Sequence, residues 1–359
     1  MSTRTTSLFQ ELRDTLKGRI RGGAYHAGDI LPREKDLCRE FSVSRVTVRK
    51  ALDALKKEGL IASKKRHGTT VIYRGKKRTN MIGIVVPNSW QSLYAGIIHT
   101  MEKMLAAQNI DLMLRNGDND PVRERAGIES ILRRNADAFI FVWDKRSGKN
   151  LAVIREAVQR IPSIVIDAHI PGMTADFIAS DHRTGARLAA EHLIAEGAKR
   201  LMHVRGTNGV WSADERYNGF IDACRAHHID DKDIAVITGH FDEESATKAL
   251  KRYLTGGGFI PDGVFASSDM TAYAAESVLA ARGIRCPADV RIIGFGNDLA
   301  VQRNAYGLST VDQHPEHIGK MIAKRIIDRM HAADTPAHGM TLVPTSLIVR
   351  RSSHIPGKS

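Results

Sequence analysis

Arg45 and Arg49, preceded by Ser44 and separated by Thr47, lie in the stretch FSVSRVTVRKALDALKKEGL. Their types and spacing suit contact with a nucleic-acid duplex. An arginine fork pairs bidentately with guanine O6 and N7, and two arginines one helical turn apart can address neighbouring base pairs. Ser44 and Thr47 suit phosphate oxygens, and Lys50 extends the cationic side.

Such residues need a helix with a buried back. Ser44 is the expected N-cap, and Gly59 ends the helix where a left-handed residue is wanted. At about 100° per residue, Val48, Ala51, Leu52 and Leu55 fall on one side, away from Arg45, Val46, Arg49 and Lys50. Upstream, Leu8, Leu12, Leu16 and Ile20 recur every four residues and predict a helix over residues 6–21, stopped by Gly22-Gly23. Pro32 opens a second short helix with Leu37 and Phe41 inward, and the tight turn Ser42-Val43 makes the last two helices a helix-turn-helix. The β-prone runs LIASKK and TTVIYR flank Arg66-His67-Gly68 and predict a hairpin, a basic wing that includes Lys65. RGKKRTN, residues 74–80, has no periodicity and reads as a linker.

The charge supports a separate head. Residues 1–80 hold 20 Lys/Arg against 8 Asp/Glu, a net of +12, within a chain whose total is +13. An excess confined to one small domain points to a polyanion partner. Cys38, Cys224 and Cys286 show no metal-ligand or paired spacing, which fits a reducing compartment and predicts neither a disulfide scaffold nor a metal. The start, MSTRTTSLFQELRDTL, has no apolar core with a cleavage site, and no run of ~18 apolar residues occurs. A cytoplasmic protein without membrane contact is expected, associated with the nucleoid when bound to DNA.

From Met81 onward, short Val/Ile-rich runs such as MIGIVVP, ADAFIFVW, PSIVIDA and VRIIGFG alternate with helical patterns such as RTGARLAAEHLIAEG. Continuous apolar strands between helices predict parallel sheets covered on both faces, and their number predicts two α/β lobes with a ligand cleft between strand ends. The chain carries no GxxxxGK[ST], GxSxG or HExxH, so neither a catalytic constellation nor a cofactor is expected.

GDILPREKDLCREFSVSRVTVRKALDALKKEGLI followed by HGTTV resembles the winged helix-turn-helix of the GntR family of bacterial transcription factors, over about residues 8–73. The resemblance implies that Arg45 and Arg49 contact the operator major groove, and that His67-Gly68 form the wing tip near the minor groove. Lys35 stands where the family commonly has arginine. Arg33 replaces the usual small residue, and His67 replaces a frequent glycine. Residues 81–353, with IASDHRTGARLAAEHLIAEGAKR, ERYNGFIDACRAHHI, SSDMTAYAAESVLAARG and LSTVDQHPEHIG, resemble the effector domains of LacI/GalR repressors, themselves similar to periplasmic sugar-binding proteins. A GntR head on a LacI-type body looks like the arabinose-repressor subgroup.

That resemblance implies effector contacts at Arg216, Asp167 and Asp269, with aromatics at Tyr94 and Phe241 and a loop through Trp211 and Ser212. Trp90 and Trp143, ending strands, could supply an apolar platform for a sugar face. For the aromatics the alternative is packing within a lobe; for Asp269, as for Asp181, it is capping of a helix N-terminus. Gly296-Asn297 departs from the family's acidic pair.

The expected architecture is a winged helix-turn-helix at 1–73, a linker at 74–80, and an α/β effector and dimerisation domain at 81–359. Lobe 1 takes about 81–180 and 311–339, lobe 2 about 181–310 and 340–353. The expected function is a repressor that binds double-stranded operator DNA as a homodimer and is released by a small polar effector such as a sugar. A nucleobase or other non-sugar corepressor, and a sugar-binding transport receptor, are the alternatives.

Overall fold

The computed structural model describes residues 8–354 apart from Gly22, 65–67, 74–77, Trp90, Asp144, Pro171, 299–306 and 332–337. The wing residues Lys65, Arg66 and His67, most of the expected linker and Trp90 therefore lie outside the described residues. The chain divides into two units, Met1–Thr79 with Ile327–Ala337, and Asn80–Ile326 with His338–Ser359.

In the first unit, helices α1 (Leu8–Arg21), α2 (Glu34–Glu40) and α3 (Arg45–Lys57) precede an antiparallel hairpin of β1 (Ile61–Lys64) and β2 (Gly68–Val71). The four-residue spacing brings Leu12, Leu16 and Ile20 into the core, whereas Leu8 stays 62% exposed at the helix start. Val48, Ala51, Leu52 and Leu55 are the buried residues of α3, as its periodicity requires. Ser44 caps that helix by accepting the Thr47 N–H at 3.2 Å, and Gly59 follows it at φ +71. Leu31 donates its N–H to Thr69 O at 2.8 Å, which ties the approach to α2 onto the hairpin.

The second unit holds two six-stranded sheets. The first runs β13-β7-β6-β5-β3-β4, from β3 (Met81–Val86), β4 (Asp111–Asn116), β5 (Ala138–Val142), β6 (Ser163–Ile166), β7 (Asp176–Ser180) and β13 (Met340–Val343). Helices α4 (Ser92–Ala106), α5 (Pro121–Arg133), α6 (Leu151–Arg160) and α11 (Pro315–His331) accompany it. The second runs β14-β12-β11-β10-β8-β9, from β8 (Leu201–Arg205), β9 (Ile234–Thr238), β10 (Gly263–Ala266), β11 (Arg291–Gly296), β12 (Ser309–Asp312) and β14 (Ser346–Ile348). With it go α7 (His182–Ala195), α8 (Trp211–Ala226), α9 (Glu243–Thr255) and α10 (Asp269–Ala280). All neighbours pair in parallel except β14 with β12. Every residue of β5, β6, β7 and β10 is buried, because helices cover both sheet faces.

The chain passes between the sheets after β7, after β12 and after β13. Residues 340–343 pair with β7, from Met340↔Phe177 to Val343↔Ser180, so they belong to the first lobe. The lobe boundary expected at 339/340 therefore moves to Pro344-Thr345. Likewise 311–312 remain in β12, and the boundary expected at 310/311 moves to Gln313. Helices α7 and α8 approach so closely that a Cβ on Gly219 would collide with the Arg183 carbonyl, a backbone group that cannot rotate aside.

His203 on β8 is fully buried, stacked on Phe265 at 4.8 Å and Phe220 at 5.2 Å between centroids, and its Nδ1–H donates to Phe265 O at 3.0 Å. Burial pushes its pKa down from 6.5 to about 3, so the folded protein holds it neutral while the unfolded chain takes the proton first. Its contribution is complete above pH 6.5 and is lost progressively as pH falls toward 3. His203→Phe should lower stability at pH 7 by leaving the Phe265 carbonyl unpaired. It should also flatten the decline of unfolding free energy between pH 6 and 4 by about 1.4 kcal/mol per pH unit. Urea unfolding across that range measures the slope, and an unchanged slope would assign the acid sensitivity to another group.

Candidate functional site

The first unit presents α3. Arg45 and Arg49 are exposed, as are Ser44, Val46 and Lys50, and Thr47 is half-buried beside the cap. Ser44 and Thr47 are joined by a 2.9 Å hydroxyl contact, so the helix entry is locally rigid. Val46, 64% exposed on the same turn, offers the kind of apolar surface that contacts a thymine methyl. Both arginines are engaged from behind by Glu34 at the start of α2, a residue that the helix periodicity did not single out. Arg33 and Lys35, on either side of it, are exposed. Gly68 stands at φ +82 where β2 begins, and an added Cβ would meet Ile30 at 3.1 Å.

The second unit centres on Arg216, whose side chain is buried in α8. Its guanidinium carbon lies 3.8 Å from the Phe295 ring centroid and 5.7 Å from that of Phe241. Nη1 donates to Ser267 O, Nη2 to Gln313 Oε1 at 3.4 Å, and Nε to His182 Nδ1 at 3.3 Å. Arginine has donors and no acceptor, so His182 Nδ1 must accept. The proton therefore sits on Nε2, which donates to Asp167 Oδ1 at 2.6 Å. The result is a fixed chain from guanidinium through a neutral imidazole to a carboxylate.

Electrostatics agree with that tautomer. Burial pushes the His182 pKa down, Asp167 opposes this, and the Arg216 charge adds to it. Burial alone would raise the Asp167 carboxyl; the proton donated by His182, the Arg216 charge and the Ser180 N–H overcome this and hold it below the usual carboxylate range. Burial lowers Arg216 to about 10, which leaves it cationic at neutral pH. Asp167 sits at φ +59, a conformation that short polar side chains adopt more readily than others.

The expected contacts distribute unevenly around this centre. Tyr94 on α4 is buried and lies within the field of Arg216. Trp211 opens α8 with its ring edge toward His182 at 5.5 Å, next to the buried Ser212. Phe241 packs so tightly on Gly206 that a Cβ there would enter the ring. Trp143, at the end of β5, packs partly buried against the apolar core of the first sheet, the alternative reading for an aromatic here. Asp181 caps α7, accepting the Thr184 N–H at 3.0 Å. Asp269 does not cap α10; that role falls to Ser268, because Asp269 is already inside the helix. Its carboxylate instead accepts from Thr310 Oγ1 at 2.6 Å and from the Asp298 N–H at 2.9 Å, and burial raises its pKa to about 6.

The groups around Arg216 that escaped the motif reading include His182, Ser267, Phe295, Gln313 and Asp298. Asp298 is the acid next to Gly296-Asn297. It stands two positions beyond Gly296, whose φ of +139 turns the chain, with its carboxyl raised by burial, hydrogen-bonded by Ser92 and facing Arg216. A signal was available in Asp298 itself, directly after the expected pair, but the local register that brings it back needs the glycine turn. A separate cavity of about 650 Å³ lies along the crossover segments, lined by Asp312, His314, Glu316, Lys320 and Ser346 among others. It does not include Arg216.

Residues 8–71 match the family model described as bacterial regulatory proteins, gntR family, and residues 190–353 match one described as a periplasmic binding protein-like domain. The chain is similar to a ribose operon repressor of Halalkalibacterium halodurans, 26% identical over 279 residues, 77% of this chain and 80% of that one. It is also similar to an HTH-type transcriptional repressor PurR of Haemophilus influenzae, 26% identical over 330 residues, 89% of this chain and 97% of that protein. A solved LacI family transcriptional regulator from Enterococcus faecium with bound ribose shares the fold, with a TM-score of 0.67 and 24% identity over 76% of this chain and 98% of that chain.

The proton positions in the buried chain can be checked directly. Asp167 raises the His182 pKa, so Asp167→Asn should lower it further below 6.5 while Nδ1 stays the acceptor. Nitrogen-15 histidine spectra through a pH titration report both the tautomer and the midpoint. A His182 that titrates upward in the variant, or carries its proton on Nδ1, would contradict the arrangement.

Proposed function

We infer that this chain, a GntR-family DNA-binding head joined to a periplasmic-binding-protein-like body, works as a ligand-responsive transcription repressor. The observation that carries this reading is the presence in one chain of an outward arginine helix on a +12 head and a buried guanidinium ringed by polar groups at the strand ends of the body. Both curated relatives named above are repressors, which supports binding rather than catalysis as the working activity. Among the described residues no helix is long and apolar enough to cross a membrane, in keeping with a protein that meets DNA in the cytoplasm and nucleoid.

Arg45 and Arg49 read base edges in the major groove, while Ser44, Thr47, Lys50, Arg33, Lys35 and the wing, Lys65 to Gly68, contact phosphates or the minor groove. One small head offers too few base contacts for specific affinity, so a homodimer on a palindromic operator is the working form. Arg49→Ala should cost about 1–3 kcal/mol on operator and little on random duplex.

The effector is an uncharged, hydroxyl-rich molecule, a sugar in the first instance. The carboxylates of Asp167, Asp269 and Asp298 act on the guanidinium of Arg216, and of these Asp269 is also drawn by Arg350, so three acids face two cations. An anionic ligand would meet repulsion there, whereas hydroxyls can donate to Asp298 and accept from arginine. Ser92, Tyr94 and Asp167 belong to the first lobe, Arg216, Phe241 and Asp298 to the second, so a ligand that touches both sets favours one lobe arrangement. Operator and effector must then weaken each other's binding by the same factor.

Thermal-shift screening of neutral sugars, sugar phosphates, sugar acids and nucleobases, followed by operator binding with each hit, tests the reading. A neutral sugar should stabilise the protein and reduce operator affinity, and Arg216→Ala should abolish the response while leaving operator binding intact. A sugar phosphate as the sole hit, or a hit that leaves operator affinity unchanged, would overturn it.

A further inference from the structure

We infer that Glu34 is a positioning residue for base readout, holding Arg45 and Arg49 by their Nε groups so that both guanidinium ends are presented together. The inference rests on the head being a DNA-binding surface. Arg45 Nε donates to Glu34 Oε2 at 2.7 Å, and Arg49 Nε lies 3.2 Å from both carboxylate oxygens. Nε is the guanidinium nitrogen nearest the stem. An arginine anchored there keeps its Nη1 and Nη2 edge for a partner, and that edge matches the O6 and N7 acceptors of guanine.

Exposure places the carboxylate behind the arginines: the Glu34 side chain is 30% exposed, against 70% for Arg45 and 60% for Arg49. Glu34 is therefore shielded by the groups it orients. The hydrogen bond from Arg45, and after it that from Arg49, hold its carboxyl below the usual range despite partial burial. It is ionised wherever the arginines would meet DNA. Two like charges one turn apart on α3 repel each other, and one shared carboxylate offsets that repulsion while fixing their separation. The first turn of α2 also contains Asp36, so the charge that suits a helix N-terminus does not depend on Glu34.

A carboxylate that positions arginines, rather than merely stabilising the fold, makes a counterintuitive demand. Glu34→Gln removes a negative charge from a surface facing phosphates, so affinity for random DNA should rise. The amide has one acceptor oxygen and an NH₂ that faces a guanidinium badly, so the arginines lose their shared anchor. Discrimination should fall as non-specific affinity grows.

The experiment uses the full-length protein and a duplex selected by it from a random library. Fluorescence anisotropy against that duplex and a scrambled one, across a salt series, gives the specificity ratio. For Glu34→Gln the ratio should fall at least tenfold, with tighter binding to scrambled DNA and a salt dependence no shallower than wild type. Glu34→Asp, one methylene shorter, should keep the charge and lose part of the ratio. The melting temperature separates the alternatives: equal weakening on both duplexes with a lowered melting temperature would make Glu34 a structural staple. An unchanged ratio in Glu34→Gln would remove the positioning role. A wild-type protein that selects no sequence at all would remove the DNA reading itself, an outcome distinct from either.

Discussion

Arg216 carries a full charge where water scarcely reaches it, and the body must compensate for that charge from the segments around it. An isolated buried ion costs several kcal/mol, and the pairing here is distributed rather than direct. Ser267 follows β10, Gln313 follows β12, His182 opens α7 after β7, and Asp167 follows β6. Each compensating group thus sits just beyond the carboxyl end of a strand, where open parallel sheets place their functional loops. The Phe295 face supplies the remaining attraction without adding a second polar group to be satisfied. Removing any one acceptor would leave a donor buried and unpaired, which explains why such a dense polar set can persist in a site otherwise lined by aromatic rings.

The arginines of the head work under the opposite condition. Arg45 and Arg49 remain in water, so their pairing with Glu34 contributes little to stability on its own. What the pairing supplies is geometry, since an exposed arginine otherwise has many rotamers. One arginine is thus fixed by burial and the other two by a shared anion. The same side chain is held in two different ways because its surroundings differ.

These differences account for what could be read from the residues beforehand. The stripe Val48, Ala51, Leu52 and Leu55 is a local period, and local periods survive translation into structure, as the buried face of α3 demonstrates. Strands such as AFIFV announce themselves because both faces are covered. By contrast β7, DFIAS, begins with a buried Asp176 and ends with a buried Ser180, so its composition resembles a loop. β12, β13 and β14 are three or four residues long, too short to show a period. Arg216 and Asp167 were named through the family resemblance, and the structure joins them through His182. The site was illegible where a tautomer or a turn decides, as at His182, which acts through a proton position set by two distant partners. Asp298 belongs to the same class, since only the turn at Gly296 brings it to face Arg216.

Close packing within the second lobe concentrates slack at the crossovers. A Cβ on Gly219 has no room against the Arg183 carbonyl, and one on Gly294 has none against Asp269, so α7, α8, α10 and β11 are packed without slack. Close-packed blocks of this kind move as wholes and bend where they are joined. The joins are cross-linked by soft polar contacts: Ser180 Oγ to Gln313 Oε1 at 3.2 Å, Thr345 Oγ1 to Asp181 O at 3.2 Å, and Ser346 Oγ with His314 Nε2 at 3.0 Å. Gln313 belongs to both sets, accepting from Ser180 at a crossover and from the buried Arg216 of α8. Its single amide oxygen cannot serve a displaced arginine and a displaced serine equally well. Any displacement of Arg216 would therefore be felt at the crossover through one shared acceptor.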